Sequence, residues 1–169
     1  MSARAAWRLA TLGFTQVYRY KPGKADWLAN GLPIEGTQAD VPRAGEVTRP
    51  DVPTCQLGEQ IGEARQRAQA AGWDICLVVT EDNVVLGRLR GKALQANPAV
   101  SVDEVMEEGP TTIRPDTLLD DIVPRMRQKH VENIVVTTPD GRLVGVMLGQ
   151  AAEARLTVFR ATAESTNGS

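Results

Sequence analysis

The sequence predicts a mixed α/β fold in which one small unit, in the order strand, helix, strand, strand, helix, occurs twice. Three observations support this prediction: an internal repeat, helical apolar stripes that precede strand-like apolar runs, and turn dipeptides between the strands. The chain has 169 residues, of which 42% are hydrophobic and 24% are charged. This composition is typical of a folded globular protein with one ordinary domain or two small ones.

The internal repeat is clearest where residues 73–94 align without a gap on residues 131–152, at an offset of 58 residues. Six of these 22 positions are identical, and they include the glycines Gly87 and Gly145. Apolar residues match at several of the other positions. Self-similarity at a fixed period indicates one supersecondary unit in two copies, and we expect the copies to fold against each other.

The first copy, residues 54–98, is predicted to begin with a short strand and to continue into a helix. The helix has a stripe of apolar residues at spacings of three and four, and these are Leu57, Ile61, Ala64, Ala68 and Ala71. The apolar run of residues 75–79 predicts a buried strand. Asp82-Asn83 then predicts a tight turn into a second strand, which a small helix follows.

The second copy, residues 99–156, repeats this order. Its helical stripe consists of Leu119, Ile122, Val123 and Met126. Asp116 is predicted to cap this helix, because its side chain can accept hydrogen bonds from free backbone N–H groups. Asp140-Gly141 predicts the hairpin turn, since both residue types tolerate a positive φ.

Residues 1–36 are predicted to form a helix, a short strand at Val17–Tyr20 and a second short helix at Ala25–Ala29. This part is basic, and its first carboxylate is Asp26. An Arg-rich start without acidic residues is compatible with a transit peptide. We favour an ordinary surface helix with a basic face.

Two further segments are predicted to lack regular structure. Residues 37–53 contain three prolines and no periodic apolar pattern, so we interpret them as a linker or a loop held against the body. Residues 157–169 end in a polar run and are predicted to form a flexible tail.

Charge and composition argue against several classes of function. Lys and Arg number 19 and Asp and Glu number 21, and nucleic-acid binders need a basic excess. The longest apolar run, Ile75–Val79, is too short to span a bilayer, so we expect a cytoplasmic protein without a membrane partner. Two cysteines and one histidine argue against a disulfide framework and against a zinc centre.

The repeats resemble a tandem pair of CBS domains, a regulatory module in which two copies pack about a pseudo-twofold axis. The resemblance is clearest in the second copy, in Val105-Met106, in the run Pro110–Thr117 and in the run Asp140–Gly145. It implies a non-enzymatic module that senses a ligand in clefts between the copies. The ligands of such pairs commonly contain adenosine, as in AMP, ADP, ATP or S-adenosylmethionine.

This resemblance implies eight candidate ligand contacts, spread over both copies. They are Thr54, Ile75, Arg88, Arg90, Lys92, Thr112, Asn133 and Leu148. Within this set, Arg88, Arg90 and Lys92 are clustered and suit phosphate groups. The alternative, which we favour, is a solvated basic strand end.

The ribose-binding positions of the CBS pattern are replaced in this sequence. In the family, a Thr or Ser and an Asp three residues later hold the two ribose hydroxyls. Those positions carry Arg90 and Ala93 in the first copy, and Leu148 and Ala151 in the second. Loss of such a carboxylate contact weakens binding by about 1.5–3 kcal/mol, or roughly tenfold to a hundredfold. We therefore expect any adenosine-containing ligand to bind weakly.

Residues 1–36 resemble the C-terminal end of a rhodanese-like domain. The resemblance rests on Ser2–Ala6, Leu9, Leu12–Phe14, Val17-Tyr18, Gly23–Trp27 and Gly31–Pro33. It does not include the loop that carries the catalytic cysteine of a rhodanese. Cys55 and Cys76 do not replace that cysteine, because no Arg follows either of them at the spacing needed to lower the thiol pKa.

The residues leave three functions open. The first is a ligand-sensing regulatory module without enzymatic activity. The second is a dimerising scaffold with vestigial clefts, in which apolar helix faces that include Val123 and Met126 form a homodimer. The third is a truncated sulfurtransferase, inactive unless an upstream extension supplies the cysteine loop.

Overall fold

The computed structural model describes residues 3–18, 20–36 and 39–167. Within this part six α-helices form, and they are α1 (Ala3–Thr11), α2 (Lys24–Ala29), α3 (Ile61–Ala70), α4 (Gly91–Leu94), α5 (Leu119–Gln128) and α6 (Gly149–Asn167). The same part contains eight short strands, β1 (Thr48–Arg49), β2 (Thr54–Cys55), β3 (Ile75–Val79), β4 (Val85–Arg90), β5 (Glu107–Glu108), β6 (Thr112–Ile113), β7 (Asn133–Thr137) and β8 (Leu143–Leu148). Turns of 3-10 helix at Ala44–Val47 and Val102–Glu104 precede β1 and β5.

The strands form two four-stranded sheets, in the orders β1-β8-β7-β6 and β2-β3-β4-β5. In each sheet a parallel pair is connected through a helix, and an antiparallel hairpin follows. The fourth strand of each sheet comes from the segment that leads into the other repeat, so that β5 pairs with β4 and β1 pairs with β8. The predicted mixed α/β class and the order of elements in both repeats are confirmed.

A pseudo-twofold axis relates the two repeats, because equivalent hydrogen bonds occur in exchanged pairs. At the hairpin turns, the Val85 N–H donates to the Gly141 carbonyl over 3.1 Å, and the Leu143 N–H donates to the Asn83 carbonyl over 2.8 Å. Asn83 has a φ of 63° and Gly141 a φ of 83°. The two turns therefore adopt the positive φ that their dipeptides predict.

The start of each long helix is likewise hydrogen-bonded to the segment that leads into the other repeat. The Ile61 N–H at the start of α3 donates to the Val100 carbonyl over 3.0 Å, and the Leu119 N–H at the start of α5 donates to the Pro42 carbonyl over 3.0 Å. The first N–H groups of a helix have no partner within the helix. The segment that leads into each repeat therefore supplies an acceptor for the helix of the other.

Side chains alternate along the central strands between two kinds of core. On β3, Cys76 and Val78 face α3 in the core of the first repeat, whereas Ile75 and Leu77 face the second repeat. The shared cluster between the repeats consists of Val52, Trp73, Ile75, Leu77, Val135 and Val146. Since each member is at most 8% exposed, the two repeats pack as one body.

The predicted strand at Val17–Tyr20 is wrong. Its described residues have irregular backbone, and residue 19 lies outside the described ranges. A segment of this length needs a neighbouring strand for its backbone groups, and none of the strands in the described ranges pairs with it. The N-terminal part is therefore helix–loop–helix, and the strand that the rhodanese resemblance implied is not formed there.

The segment 37–53 contains regular structure that its sequence does not signal. Residues 37 and 38 lie outside the described ranges, and a 3-10 turn and β1 follow them. Thr48 on β1 lies opposite Met147 on β8. A two-residue strand has no periodic pattern, so only its pairing with the second repeat gives it order.

The predicted flexible tail at 157–169 is helical as far as it is described. Helix α6 continues to Asn167, and residues 168 and 169 lie outside the described ranges. Leu156, only 4% exposed, anchors α6 in the core of the second repeat. The helix therefore extends well beyond the apolar pattern that predicted its start.

Some side chains of the predicted stripes and caps have other surroundings. Leu57 and Ala71, the two ends of the predicted stripe of α3, are exposed. Asp116 does not cap α5, which has no side-chain cap. Val123 and Met126, which we expected on a dimer face, are 3% and 4% exposed in the core of the second repeat, so they form no free apolar surface.

Candidate functional site

A cavity of about 510 Å³ lies where β7 begins and β8 ends. Asn133 and Leu148, which lie opposite each other on these two strands, form part of its wall. Helix α5 contributes Val123 and Met126, and the first repeat contributes Asp74. Both repeats therefore line this cavity.

The polar part of the wall is acidic. It contains the carboxylates of Asp74, Glu132 and Glu153 beside Arg127 and His130. Arg127 Nε donates to Glu153 Oε1 over 2.5 Å, and this hydrogen bond holds the pKa of Glu153 below its ordinary value. Because this ion pair is neutral as a whole, the other two carboxylates give the wall a negative charge when the histidine is neutral.

A sharp turn after α5 brings three further residues into the wall. His130 has a φ of 52°, a left-handed conformation that is uncommon outside glycine. The Val131 N–H donates back to the Met126 carbonyl over 2.9 Å. The turn thus places His130, Val131 and Glu132 beside the cavity just before β7 begins. Sequence reasoning assigned none of the three to the site.

The eight predicted ligand contacts are not brought together in one place. Asn133 and Leu148 line the cavity. Ile75 is 1% exposed in the shared cluster and presents almost no surface to a ligand. Thr54 and Thr112 occupy equivalent positions on β2 and β6, the strands next to β3 and β7, and neither lines this cavity.

The three basic candidates lie at the end of β4 and on α4. Arg88 and Arg90 each donate through Nε to a carboxylate oxygen of Glu107, over 2.8 Å and 3.0 Å. This glutamate belongs to β5, the strand that crosses over from the second repeat. Lys92 is exposed on α4. A phosphate group at this position would have to compete with Glu107, which favours the interpretation as a solvated strand end.

We expect the contribution of Glu107 to stability to disappear in acid. Hydrogen bonds from Arg88 and Arg90 hold its pKa below the ordinary 4.5. A carboxyl group whose pKa is lowered by folding stabilises the folded state above its unfolded pKa, and the contribution is lost as the pH falls through the folded value. Urea unfolding of the wild type and of Glu107→Gln from neutral pH to about pH 3 checks this. The stability difference should be small, because the pair is largely exposed, and should shrink in acid; a difference that grows in acid contradicts the prediction.

The ribose positions of the CBS pattern carry no hydrogen-bonding side chain in the second repeat. Ala151 is exposed and Leu148 lines the cavity. The carboxylates in the cavity wall come from other positions, among them Asp74 and Glu132. These two residues are equivalent at the offset of 58, and each directly precedes a central strand. The acidic residue before each central strand could therefore have been recognised from the repeat alignment.

The two cysteines do not form a nucleophilic site. Cys55 and Cys76 lie in the core of the first repeat and are 1% and 0% exposed. The hydrogen bond between their thiols and their burial raise the pKa of Cys55 above its ordinary value. Because both thiols are shielded from solvent and from any substrate, this pair offers no support for sulfur transfer.

In the described ranges, no three His, Cys, Asp or Glu side chains are grouped so that they could hold a metal ion. None of the described helices combines the length and the apolar character that a membrane span requires.

Comparison with known proteins agrees with this geometry. The family model of the CBS domain matches residues 102–147. A search of curated proteins finds no significant match. Among solved structures, the CBS domains of a transcriptional regulator from Streptococcus pneumoniae share 16% identity at a TM-score of 0.62, over 68% of this chain and 98% of that chain.

Two further solved structures have the same fold. The CBS-pair protein CBSX2 from Arabidopsis thaliana shares 15% identity at a TM-score of 0.59, over 70% of this chain and 96% of that chain. The CBS domain pair of protein MJ0100, in complex with 5′-methylthioadenosine and S-adenosyl-L-methionine, shares 18% identity at a TM-score of 0.59, over 71% and 98%. Residues 102–147 are thus matched as a CBS domain, and the two repeats together have the fold of a CBS-domain pair.

Proposed function

We propose that this chain is a non-enzymatic, ligand-sensing CBS-pair module whose cavity beside β7 and β8 binds an adenosine-containing molecule. The observation that carries the proposal is a cavity of about 510 Å³ lined by both repeats. This volume lies within the usual range of small-molecule sites. A structural neighbour in complex with 5′-methylthioadenosine and S-adenosyl-L-methionine supports the ligand class, and CBS-pair proteins are typically regulatory rather than catalytic.

The apolar part of the wall suits a flat base. Leu148 and Val131 present aliphatic groups to the cavity, whereas Val123 and Met126 border it with only 3% and 4% of their surface exposed. Such side chains gain dispersion and hydrophobic energy against an aromatic ring without fixing its hydrogen bonds. The side-chain amide of Asn133 both donates and accepts, so it suits the polar edge of an adenine.

The acidic part of the wall decides which adenosine derivatives fit. Carboxylates accept hydrogen bonds from ribose hydroxyls, and Asp74 and Glu132 are the acidic groups without an ion-pair partner in the wall. The same charges repel a phosphate and attract a cation. The cavity therefore favours an uncharged nucleoside or a cationic sulfonium over AMP, ADP or ATP.

Calorimetric titration with four probes tests the proposal. We expect 5′-methylthioadenosine and S-adenosylmethionine to bind at least tenfold more tightly than AMP and ATP. Glu132→Gln should reduce this preference to about threefold, because one of the two unpaired charges is removed. Glu108→Gln removes an exposed acid that lies on the edge strand β5 of the other sheet and outside the cavity wall; it is the matched control and should leave all four affinities unchanged.

Two results would contradict the proposal. One is the absence of heat with every probe at millimolar concentration. The other is binding of AMP or ATP as tight as that of the uncharged nucleoside. If no probe binds and the molar mass by light scattering doubles with concentration, the scaffold function would replace ligand sensing.

A further inference from the structure

A second, smaller cavity of about 260 Å³ lies between the N-terminal part of the chain and the segment that leads into the first repeat. It is lined by three apolar side chains, two cations and one carboxylate, and these are Trp27, Leu28, Ile34, Lys24, Arg43 and Glu35. The wall therefore carries one positive charge in excess at neutral pH. Its charge is opposite in sign to that of the larger cavity.

The Arg43 guanidinium makes no ion pair in the described ranges, although the Arg43 backbone N–H donates to Glu46 Oε1 over 2.8 Å. Its Nη1 donates to the Asp116 carbonyl over 2.9 Å, and its Nε is buried without a hydrogen-bond acceptor. Eight other arginines in those ranges make ion pairs with carboxylates. The guanidinium charge of Arg43 is therefore not neutralised by a carboxylate, and a positive charge on a half-buried side chain attracts an anion. Lys24 likewise makes no ion pair there.

Contacts that need no ligand hold the walls in place. Trp27 Nε1 donates to the Pro33 carbonyl over 2.7 Å, which closes the loop after α2. The ring of Tyr20 packs edge-to-face against Trp27, with ring centroids 5.2 Å apart. Gly31 lies against the second repeat, because a Cβ atom placed on it would be 3.3 Å from Pro115 Cβ. The cavity is therefore largely preformed, which lowers the entropic cost of binding.

We propose that this cavity binds a small organic monoanion, a carboxylate with a flat apolar body. The carboxylate would face Lys24 and Arg43, and the body would lie against Trp27. The volume of about 260 Å³ limits the ligand to a small molecule, such as one aromatic ring with one carboxylate. The proposal is independent of the function proposed for the larger cavity.

Benzoate is a probe of this size and charge, and benzamide has the same shape without the charge. In two-dimensional amide NMR spectra of the full chain, we expect benzoate to shift signals of residues 24–36 and 43–46 at millimolar concentration. Benzamide should bind at least fivefold more weakly, because the two cations interact with the charge. Raising the salt concentration should weaken benzoate binding and leave benzamide binding unchanged.

Two variants and a control assign the effect to this cavity. Lys24→Gln should weaken benzoate binding at least threefold, whereas Lys21→Gln, which removes a nearby exposed lysine outside the wall, should not change it. Arg43→Gln should weaken binding further, and the exposed position of Lys24 keeps the test valid if Arg43→Gln perturbs folding. Equal binding of benzoate and benzamide, shifts outside these segments alone, or equal effects of the two lysine variants would each overturn the proposal.

Discussion

Replacement of Gly145 by alanine is expected to destabilise the fold by about 3 kcal/mol or more. A Cβ atom at this position would overlap the carbonyl oxygen of Arg49 and lie 2.8 Å from Thr48 Cγ2. Both of these residues belong to β1, the strand that the segment leading into the first repeat contributes to the sheet of the second. Because the obstacle is mostly backbone, it cannot move aside without breaking the crossover pairing. Urea unfolding of the wild type and the variant measures the loss.

Comparison with a second glycine variant separates the free-energy cost of steric overlap from that of backbone strain. Gly109 has a φ of 56°, and a Cβ atom there would meet nothing within 4 Å. Gly109→Ala should therefore show only the conformational penalty of about 1–2 kcal/mol. The pseudo-symmetric variant Gly87→Ala, with its Cβ atom 2.8 Å from Met106 Sδ and 2.9 Å from the Glu107 carbonyl oxygen, should resemble Gly145→Ala more closely. Equal losses at 109 and 145 would contradict the crossover explanation.

Truncation of Leu77 to alanine is expected to cost about 2–5 kcal/mol. Leu77 is 0% exposed in the shared cluster, where side chains of both repeats meet. The cavity left by the substitution would therefore weaken both repeats at once, and unfolding should remain a single transition. Trp73 is buried in the same cluster, with the Arg49 guanidinium 4.5 Å from its ring centroid, and contributes to the tryptophan fluorescence together with Trp7 and Trp27.

The matched control is Leu57. The sequence predicts this leucine in the apolar stripe of α3, but in the structure its side chain is exposed to solvent. Leu57 is 51% exposed, so Leu57→Ala should change the free energy of unfolding by less than about 0.5 kcal/mol. Two separate unfolding transitions in Leu77→Ala would show that the repeats fold independently. A loss below about 1 kcal/mol would show that the shared cluster contributes little.

Much of the repeat architecture follows from short-range sequence features. The apolar runs and helical stripes of both copies predict β3, α3, β7 and α5, and the turn dipeptides predict the positive φ of Asn83 and Gly141. These elements have a periodic or chemical signal within the segment itself. The strand at Val17–Tyr20 was predicted from residue type alone, and it fails because a strand is not stable without a neighbour.

The candidate site was predictable only in part. Asn133 and Leu148, which the CBS resemblance implied as ligand contacts, line the larger cavity. Asp74 lies in the first repeat and Glu153 lies on α6 of the second. These two wall residues are far apart in the chain, so no local spacing connects them. Ile75, a further predicted contact, lies in the shared cluster, because the side chains of β3 alternate between its two faces.

Local patterning therefore specifies that two copies of one βαββα unit exist, where their turns lie and which faces of their helices are apolar. Contacts between distant segments determine the exchanged strands β1 and β5, the acidic wall of the larger cavity and the basic wall of the smaller one. The physical reason is that a helix or a hairpin encodes its period in consecutive residues. A two-residue strand or a cavity wall exists only when residues far apart in the chain pack together.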